Sequence, residues 1–342
     1  MINVGVIGYG YWGPNLVRNF SESTETNVVS VSDLNPERLA LVQRRYPAIK
    51  TTTDHRDLWV DNEIDAIIVA TPVSSHFELA MGALQANKHV LIEKPLTESY
   101  EQACRLVEEA DKRNLMLMVD HTFVYTSAVR KMQELIAGDE LGKIYYYDSV
   151  RVNLGLFQHD VNVIWDLAVH DLSIIEYLLP KQPYAVSATG MSHVAGKPEN
   201  IAYLTLFYED NLIAHIHVNW LAPVKVRSTL IGGSKKMIVY DDLQPSEKVK
   251  VYNKGITVNN DAESRYQMLI GYRTGDMWAP HLDLSEALQV EVNHFAQCLK
   301  EGKTPVTDGQ AGLRVVQILE AATQSMMNKG EPVELKDMRV FA

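Results

Sequence analysis

Cysteine is nearly absent: 342 residues contain only Cys104 and Cys298. Each sits inside a helical pattern and no C-x-x-C occurs, which argues against a disulfide framework or a thiolate zinc site. No apolar stretch reaches the length of a membrane span. No secretory leader is read either, because Met1 leads straight into a strand pattern. A basic excess is also missing, since 32 Lys and Arg against 43 Asp and Glu leave a formal net charge of −11. That balance is unfavourable for nucleic acid or an anionic membrane surface, although a local basic patch would escape such a count. Internal repeats and low-complexity linkers are lacking as well. The expectation is a cytoplasmic protein with neither nucleic acid nor membrane as partner. Its 46% hydrophobic and 22% charged residues are those of an ordinary globular chain, long enough for two domains.

What is present concentrates at the N-terminus. Ile2 to Ile7 is an apolar, β-branched run that stops at Gly8. Gly8, Gly10 and Gly13 then stand in a G-x-G-x-x-G frame, with Tyr11 and Trp12 inside it. Pro14 to Phe20 follows with helical spacing, and Pro14 suits a first helical turn. A second apolar run from Val28 ends at Asp33. Strand, glycine turn, helix, strand and acid form the dinucleotide fingerprint in its required context. Gly8 permits the turn, Gly10 admits a pyrophosphate, and Gly13 lets helix and strand pack. The helix N-terminus then faces the phosphates. Asp33 suits the ribose hydroxyls of NAD and repels the extra phosphate of NADP. Arg38, close by, leaves some NADP use open.

Strand and helix patterns alternate to about residue 121. Helices are predicted from Pro36, Asp54, Ser74 and Ser99, and strands at Ile64 to Ala70, His89 to Ile92 and Leu115 to Val119. This reads as a doubly wound parallel sheet over 1–121. The pattern then changes. Helices over Ser127 to Gly138 and Asp160 to Leu179 accompany strands at 143–153, 185–194, 201–208, 212–220, 225–232, 236–241 and 248–252. Helices over 285–300 and 310–328 close the chain. Residues 122–342 thus read as an α+β domain with one large, mostly antiparallel open sheet. Such a sheet, lacking helices on its outer face, is expected to find cover in a homodimer or homotetramer.

Two constellations could do chemistry. Lys94 lies in Glu93-Lys94-Pro95 after the strand at His89 to Ile92, where strand ends border the ligand crevice; the alternative is an ordinary loop lysine. Asp166 and His170 are four apart on a predicted helix and share a face. A carboxylate there can orient an imidazole that acts as general base, or the two can form a surface ion pair. His215 and His217 share a strand face in a spacing some zinc sites use, but no further ligands support a metal. Tyr145, Tyr146 and Tyr147 read as alternating strand residues.

The fingerprint, Ala70-Thr71-Pro72, Glu93-Lys94-Pro95, the Asp166/His170 pair and Pro305 to Gly309, in this order, resemble the glucose-fructose oxidoreductase/inositol dehydrogenase (Gfo/Idh/MocA) family along nearly the whole chain. The resemblance implies an oxidoreductase in which Lys94 and His170 serve a reacting hydroxyl and Asp166 assists. It also implies a cis Lys94–Pro95 peptide. One departure is Val161 to Trp165, where many members are glycine-rich. The W-D-L-x-x-H-D form resembles a branch of nucleotide-sugar pathways, in which a sugar hydroxyl, often at C3, becomes a ketone.

Residues expected at the cofactor are therefore Gly8, Gly10, Tyr11, Trp12, Gly13, Asp33, Arg38, Thr71, Pro72, His76, Glu93, Lys94 and Trp165. Those expected at the substrate are Lys94, His121, Tyr125, Arg151, Asn153, Asp166 and His170, with Arg227 a further candidate for a diphosphate or carboxylate. The alternative for Arg151, Asn153 and Arg227 is an ordinary place in the sheet. The reading is an NAD-dependent dehydrogenase of a secondary alcohol on a sugar or sugar nucleotide. A ketosugar reductase, a free-polyol dehydrogenase and a non-catalytic NAD(H) sensor are its rivals.

Overall fold

A computed structural model describes residues 1–155, 161–179, 181–258 and 270–335. The chain forms two compact units: Met1–Thr126 with Ser285–Gln317, and Ser127–Leu284 with Ile318–Ala342.

The first unit is built on parallel strands β1 (Ile2–Ile7), β2 (Thr26–Ser32), β3 (Lys50–Thr52), β4 (Ala66–Val69), β5 (His89–Glu93) and β6 (Leu117–Asp120). Their order is β3-β2-β1-β4-β5-β6, so the strand order reverses between β1 and β4 while all strands stay parallel. Helices α1 (Gly13–Glu22), α2 (Pro36–Arg45), α3 (Arg56–Val60), α4 (His76–Gln85) and α5 (Tyr100–Arg113) connect the strands. Every residue of β4 and β6 is buried, as expected for strands covered on both faces. Local chemistry sets the helix starts. The Asn35 side chain accepts from Glu37 N ahead of Pro36, and Ser99 accepts from Gln102 N ahead of α5. β3 is absent from the sequence reading. Its Lys-Thr-Thr carries no apolar pattern, and it forms by pairing with Ser30 to Ser32 at the sheet edge.

By contact, the closing helices divide between the two units. All of α8 (Ala287–Glu301) and the start of α9 (Gly309–Met327) belong to the first unit. Phe295 meets Phe20 of α1 edge-on at 5.7 Å. Thr307 O accepts from Val119 N, extending the edge at β6. Gly312 approaches so closely that a Cβ there would stand 2.5 Å from Val119 Cγ2. These contacts fix the assignment, and amphipathic spacing alone does not say which core a helix covers.

The second unit opens with α6 (Ser127–Ala137), β7 (Ile144–Leu154) and α7 (Val169–Leu178). It continues through β8 (Ala185–Met191), β9 (Ile201–Phe207), β10 (Ile213–Asn219), β11 (Leu221–Gly233), β12 (Met237–Asp241) and β13 (Val249–Tyr252). A separate hairpin pairs β14 (Gly255–Val258) with β15 (Ile270–Arg273), and β16 (Met277–Trp278) and β17 (Val333–Glu334) are short. The large sheet runs β16-β13-β12-β11-β7-β10-β9-β8-β17. Its strands are antiparallel except for β7 beside β10. Ala202, Leu204 and Leu206 of β9 and Ala214, Ile216 and Val218 of β10 are buried on one face. Tyr203, 42% exposed, shows that the other face is open in this chain, and its ring stacks on His217 at 4.4 Å. The helix expected from Asp160 begins later, at a π-turn over Ile164–Ala168, and Asp160 itself lies outside the described residues.

An ion pair ties β7 to α7. Arg151 Nε lies 2.6 Å from Asp171 Oδ2, with the side chains 5% and 3% exposed. Removing one partner strands a buried charge, whereas replacing both by apolar residues does not. Asp171→Ala should therefore lower stability by about 3–5 kcal/mol. The double variant Arg151→Met/Asp171→Leu should recover most of it in urea denaturation.

Candidate active site

The glycine turn is a steric construction. Gly8 has φ +99°, and a Cβ on it would lie 2.4 Å from Ala70 O. A Cβ on Gly13 would lie 2.3 Å from Gly8 O. Gly10 differs: its Cβ would meet only Arg38 Nη1, at 3.6 Å. Backbone exposed this way leaves room for a pyrophosphate. No side chain caps α1, so the positive end of that helix stays available to an anion. Tyr11, 90% exposed, stands at the tip of the turn.

Asp33 ends β2 with its carboxylate fixed. Oδ2 accepts from Tyr9 N at 2.7 Å, and Oδ1 accepts from Asn35 N at 2.8 Å. Arg38 Nη1 approaches Oδ2 at 3.4 Å. A carboxylate has about four acceptor positions, so these bonds leave capacity for ribose hydroxyls. The residues present fit a dinucleotide: Gly8, Gly10 and Gly13 at the phosphates and Asp33 at a ribose.

At the ends of β4 and β5, His76 is 1% exposed. Its Nδ1 lies 2.9 Å from Pro95 O and its Nε2 2.8 Å from Thr71 O. The imidazole thus ties together the Thr71-Pro72 and Lys94-Pro95 loops, and burial lowers its pKa. The Lys94–Pro95 peptide is cis. Lys94 is half-buried, and its N–H donates to Glu93 Oε2 at 3.1 Å. Glu93 is pushed well above the usual carboxylate range, first by burial and then by Asp120. Trp12 Nε1 donates to Asp120 Oδ2 at 2.9 Å. His121 is 2% exposed and neither ring nitrogen meets a hydrogen-bond partner. Burial holds its pKa down at about 4. Tyr125 is buried, its hydroxyl 2.9 Å from Thr307 Oγ1.

In the second unit, Asn162 Oδ1 accepts from Ile164 N and Trp165 N and so caps the helical segment carrying Trp165 and Asp166. The π-turn is closed by Val169 N donating to Ile164 O, five residues back. Such turns recur at functional sites. Asp166 Oδ2 accepts from Trp220 Nε1 at 3.0 Å, and Trp165 Nε1 donates to Thr323 Oγ1 at 3.0 Å. His170 is half-buried at the start of α7. A fixed carboxylate one turn before an imidazole suits an orienter and its base.

Sequence reasoning missed Trp220, Asn162 and Thr323. A fully buried tryptophan needs a partner for its N–H, but nothing in the sequence says which one. Arg151, expected toward substrate, is held by Asp171. Arg227 pairs with Asp242 at 3.1 Å, and Asn153 is half-buried on β7. Tyr147 is buried and Tyr145 exposed. Among the described residues, no group of three or more His, Cys, Asp and Glu is arranged to hold a metal. Nor is any helix among them long and apolar enough to cross a membrane.

Two outcomes are expected. Gly10→Ala adds a Cβ that meets Arg38 Nη1 only at ordinary contact distance, so the melting temperature should hold while NADH affinity falls about tenfold or more, measured by fluorescence titration. His121 has a folded pKa below that of the unfolded chain. Its contribution to stability is full above the ordinary histidine value and is lost as pH falls from there through about 4. His121→Phe should remove roughly 3 kcal/mol of that acid sensitivity, read from unfolding curves across this range.

Comparison with known proteins agrees with this geometry. Residues 2–121 match the model of an oxidoreductase family's NAD-binding Rossmann fold. Residues 133–335 match the same family's C-terminal alpha/beta domain. The scyllo-inositol 2-dehydrogenase (NAD(+)) of Bacillus subtilis is 25% identical over 100% of this chain and 97% of its own. The UDP-N-acetylglucosamine 3-dehydrogenase of Acidithiobacillus ferrooxidans is 28% identical over 92% of this chain and 94% of its own. A solved structure of the latter superposes with a TM-score of 0.78 at 26% identity, covering 95% of this chain and 97% of that one. A levoglucosan dehydrogenase structure with NADH and levoglucosan shares the fold, at TM-score 0.82 and 20% identity over 98% and 99% of the two chains. With both domain models matched in order, the chain belongs to the Gfo/Idh/MocA family of NAD-binding oxidoreductases.

Proposed function

We propose that this oxidoreductase is an NAD-dependent dehydrogenase of a sugar, oxidising a secondary hydroxyl at C3 of a nucleotide sugar such as UDP-N-acetylglucosamine. The observation that carries the reading is the anchored carboxylate of Asp166, fixed by the Trp220 indole one turn before a half-buried histidine. In this proposal His170 takes the hydroxyl proton and Asp166 orients and supports the imidazolium that results. Lys94 steadies the negative charge that grows on the same oxygen. NAD, when bound, supplies the hydride acceptor. The relative acting on UDP-N-acetylglucosamine supports the substrate class, and the branch resemblance of the W-D-L-x-x-H-D segment points the same way.

A second reading, dehydrogenation of a free polyol, is supported by the inositol-oxidising relative. The open face of the large sheet, with Tyr203 and Ile213 exposed, supports pairing into a homodimer or homotetramer. Two free cysteines suit a cytoplasmic protein.

The test is NADH absorbance with purified protein, NAD and a panel of UDP-N-acetylglucosamine, myo-inositol and glucose. Turnover with the nucleotide sugar alone is expected. Turnover with inositol alone moves the chain to the polyol reading, and NADH binding without turnover on any substrate opposes both. Lys94→Ala and His170→Ala should each lower kcat on the order of a hundredfold or more. Near-native rates in both would overturn the assigned roles.

A further inference from the structure

Glu291 lies on α8, on an element the sequence marks only by its helical spacing. It is 0% exposed, its carboxyl oxygens meet no N–H donor, and the hydroxyl beside it, on Thr122, already donates to Asp120 Oδ1. A lone carboxylate in that position is very costly. What faces it is another acid, Asp120 at the end of β6, which lies within hydrogen-bonding reach. Glu93 stands opposite Asp120 in register across β5 and β6, and it too reaches Asp120. Glu93 Oε1 is likewise buried with no donor.

Carboxylates only accept, so such a group coheres only when its outer members carry protons and donate. Burial and the Asp120 carboxyl push both Glu291 and Glu93 well above the usual range. Asp120 is the shared acceptor. Trp12 Nε1 reaches its Oδ2 at 2.9 Å, and Thr122 Oγ1 reaches its Oδ1 at 2.5 Å.

The placement gives this network a purpose. Trp12 sits in the glycine turn after β1, and Asp120 ends β6; β4 and β5 lie between them in the sheet. The indole is thus stretched across the carboxyl ends of β4 and β5. Asp33 marks the other side of the switch point, where one nucleotide of a dinucleotide binds, so Trp12 stands on the side of the second. His121, beside Asp120, adds an independent sign of a ligand: a buried imidazole with both nitrogens unsatisfied.

We propose that Glu291 is a positioning residue for the cofactor: it donates a carboxyl hydrogen bond to Asp120 and so fixes the acceptor that holds the Trp12 indole on the nicotinamide side of the crevice. The titratable groups that act on it are Asp120, Glu93 and Tyr125; Lys94 acts in turn on Glu93, and His121 feels Asp120 and Lys94. Loss of the Glu291 proton as pH rises sets two carboxylates against one another and loosens the anchor. The inference rests on the dinucleotide-binding fold and not on the substrate, so it survives any outcome of the substrate panel.

The test uses the full-length protein labelled with 15N at tryptophan, the Trp12 indole resonance being assigned through Trp12→Phe. Glu291→Gln keeps a donor for Asp120 but cannot ionise; Glu291→Leu keeps the bulk and donates nothing. In Glu291→Gln the resonance and the NADH affinity should stay near wild type and lose the change that wild type shows as pH rises. In Glu291→Leu the resonance should move and NADH affinity should fall about tenfold. A wild-type resonance in Glu291→Leu, or equal losses in both variants, would overturn the proposal. Should Glu291→Leu fail to fold, the comparison of wild type with Glu291→Gln decides, because identical pH profiles contradict the assignment.

Discussion

The contact between Gly8 and Gly13 is the constraint on which the first unit depends. With 2.3 Å between Gly8 O and the place of a Cβ on Gly13, α1 can lie this close to β1 only because Gly13 lacks a side chain, while Gly8 is bare against Ala70 O, 2.4 Å from the place of its own Cβ. From that contact the rest is aimed. The uncapped start of α1 faces the crevice, Tyr9 N reaches Asp33, and Trp12 reaches toward Asp120. Phosphate, ribose and indole positions thus follow from one steric fact. Residues around it serve as braces. His76 links two loops through its ring nitrogens, and Glu93, Asp120 and Glu291 form a buried acid group behind the Trp12 anchor.

The second unit solves a different problem, which is how to present an acid and an imidazole from one short segment. Three neighbours take three environments. Asp166 meets an indole N–H, His170 stays half-buried, and Asp171 is sealed in a pair with Arg151. Within the W-D-L-x-x-H-D stretch, Asp171 is thus committed to stability, while Asp166 and His170 are the pair that the proposed function uses. Asn162 supplies the cap, and the π-turn adjusts the phase between Asp166 and His170.

The fingerprint was legible in the sequence because its spacing is dictated by backbone sterics, and glycine is rare enough to register. The seven principal strands of the large sheet were legible from alternation, within a few residues at their ends. β3 and the two-residue strands β16 and β17 were not, since they form by pairing with a sheet already in place. Lys94, Asp166 and His170, which the proposed function uses, stood out in the sequence by residue type and spacing. Trp220 and Glu291 did not, because a buried partner is defined by distance in space, and each lies far along the chain from the residue it serves. The ownership of α8 was hidden for the same reason: Phe295 looks like any core residue until Phe20 is beside it.

Hydride transfer from a sugar carbon is tested most directly by isotope. UDP-N-acetylglucosamine carrying deuterium at C3 would be incubated with the protein and NAD, and both products examined by mass spectrometry. The expected result is deuterium in the reduced nicotinamide and a ketone at C3 of the sugar. Deuterium retained on an unchanged sugar, with NADH binding intact, would contradict it.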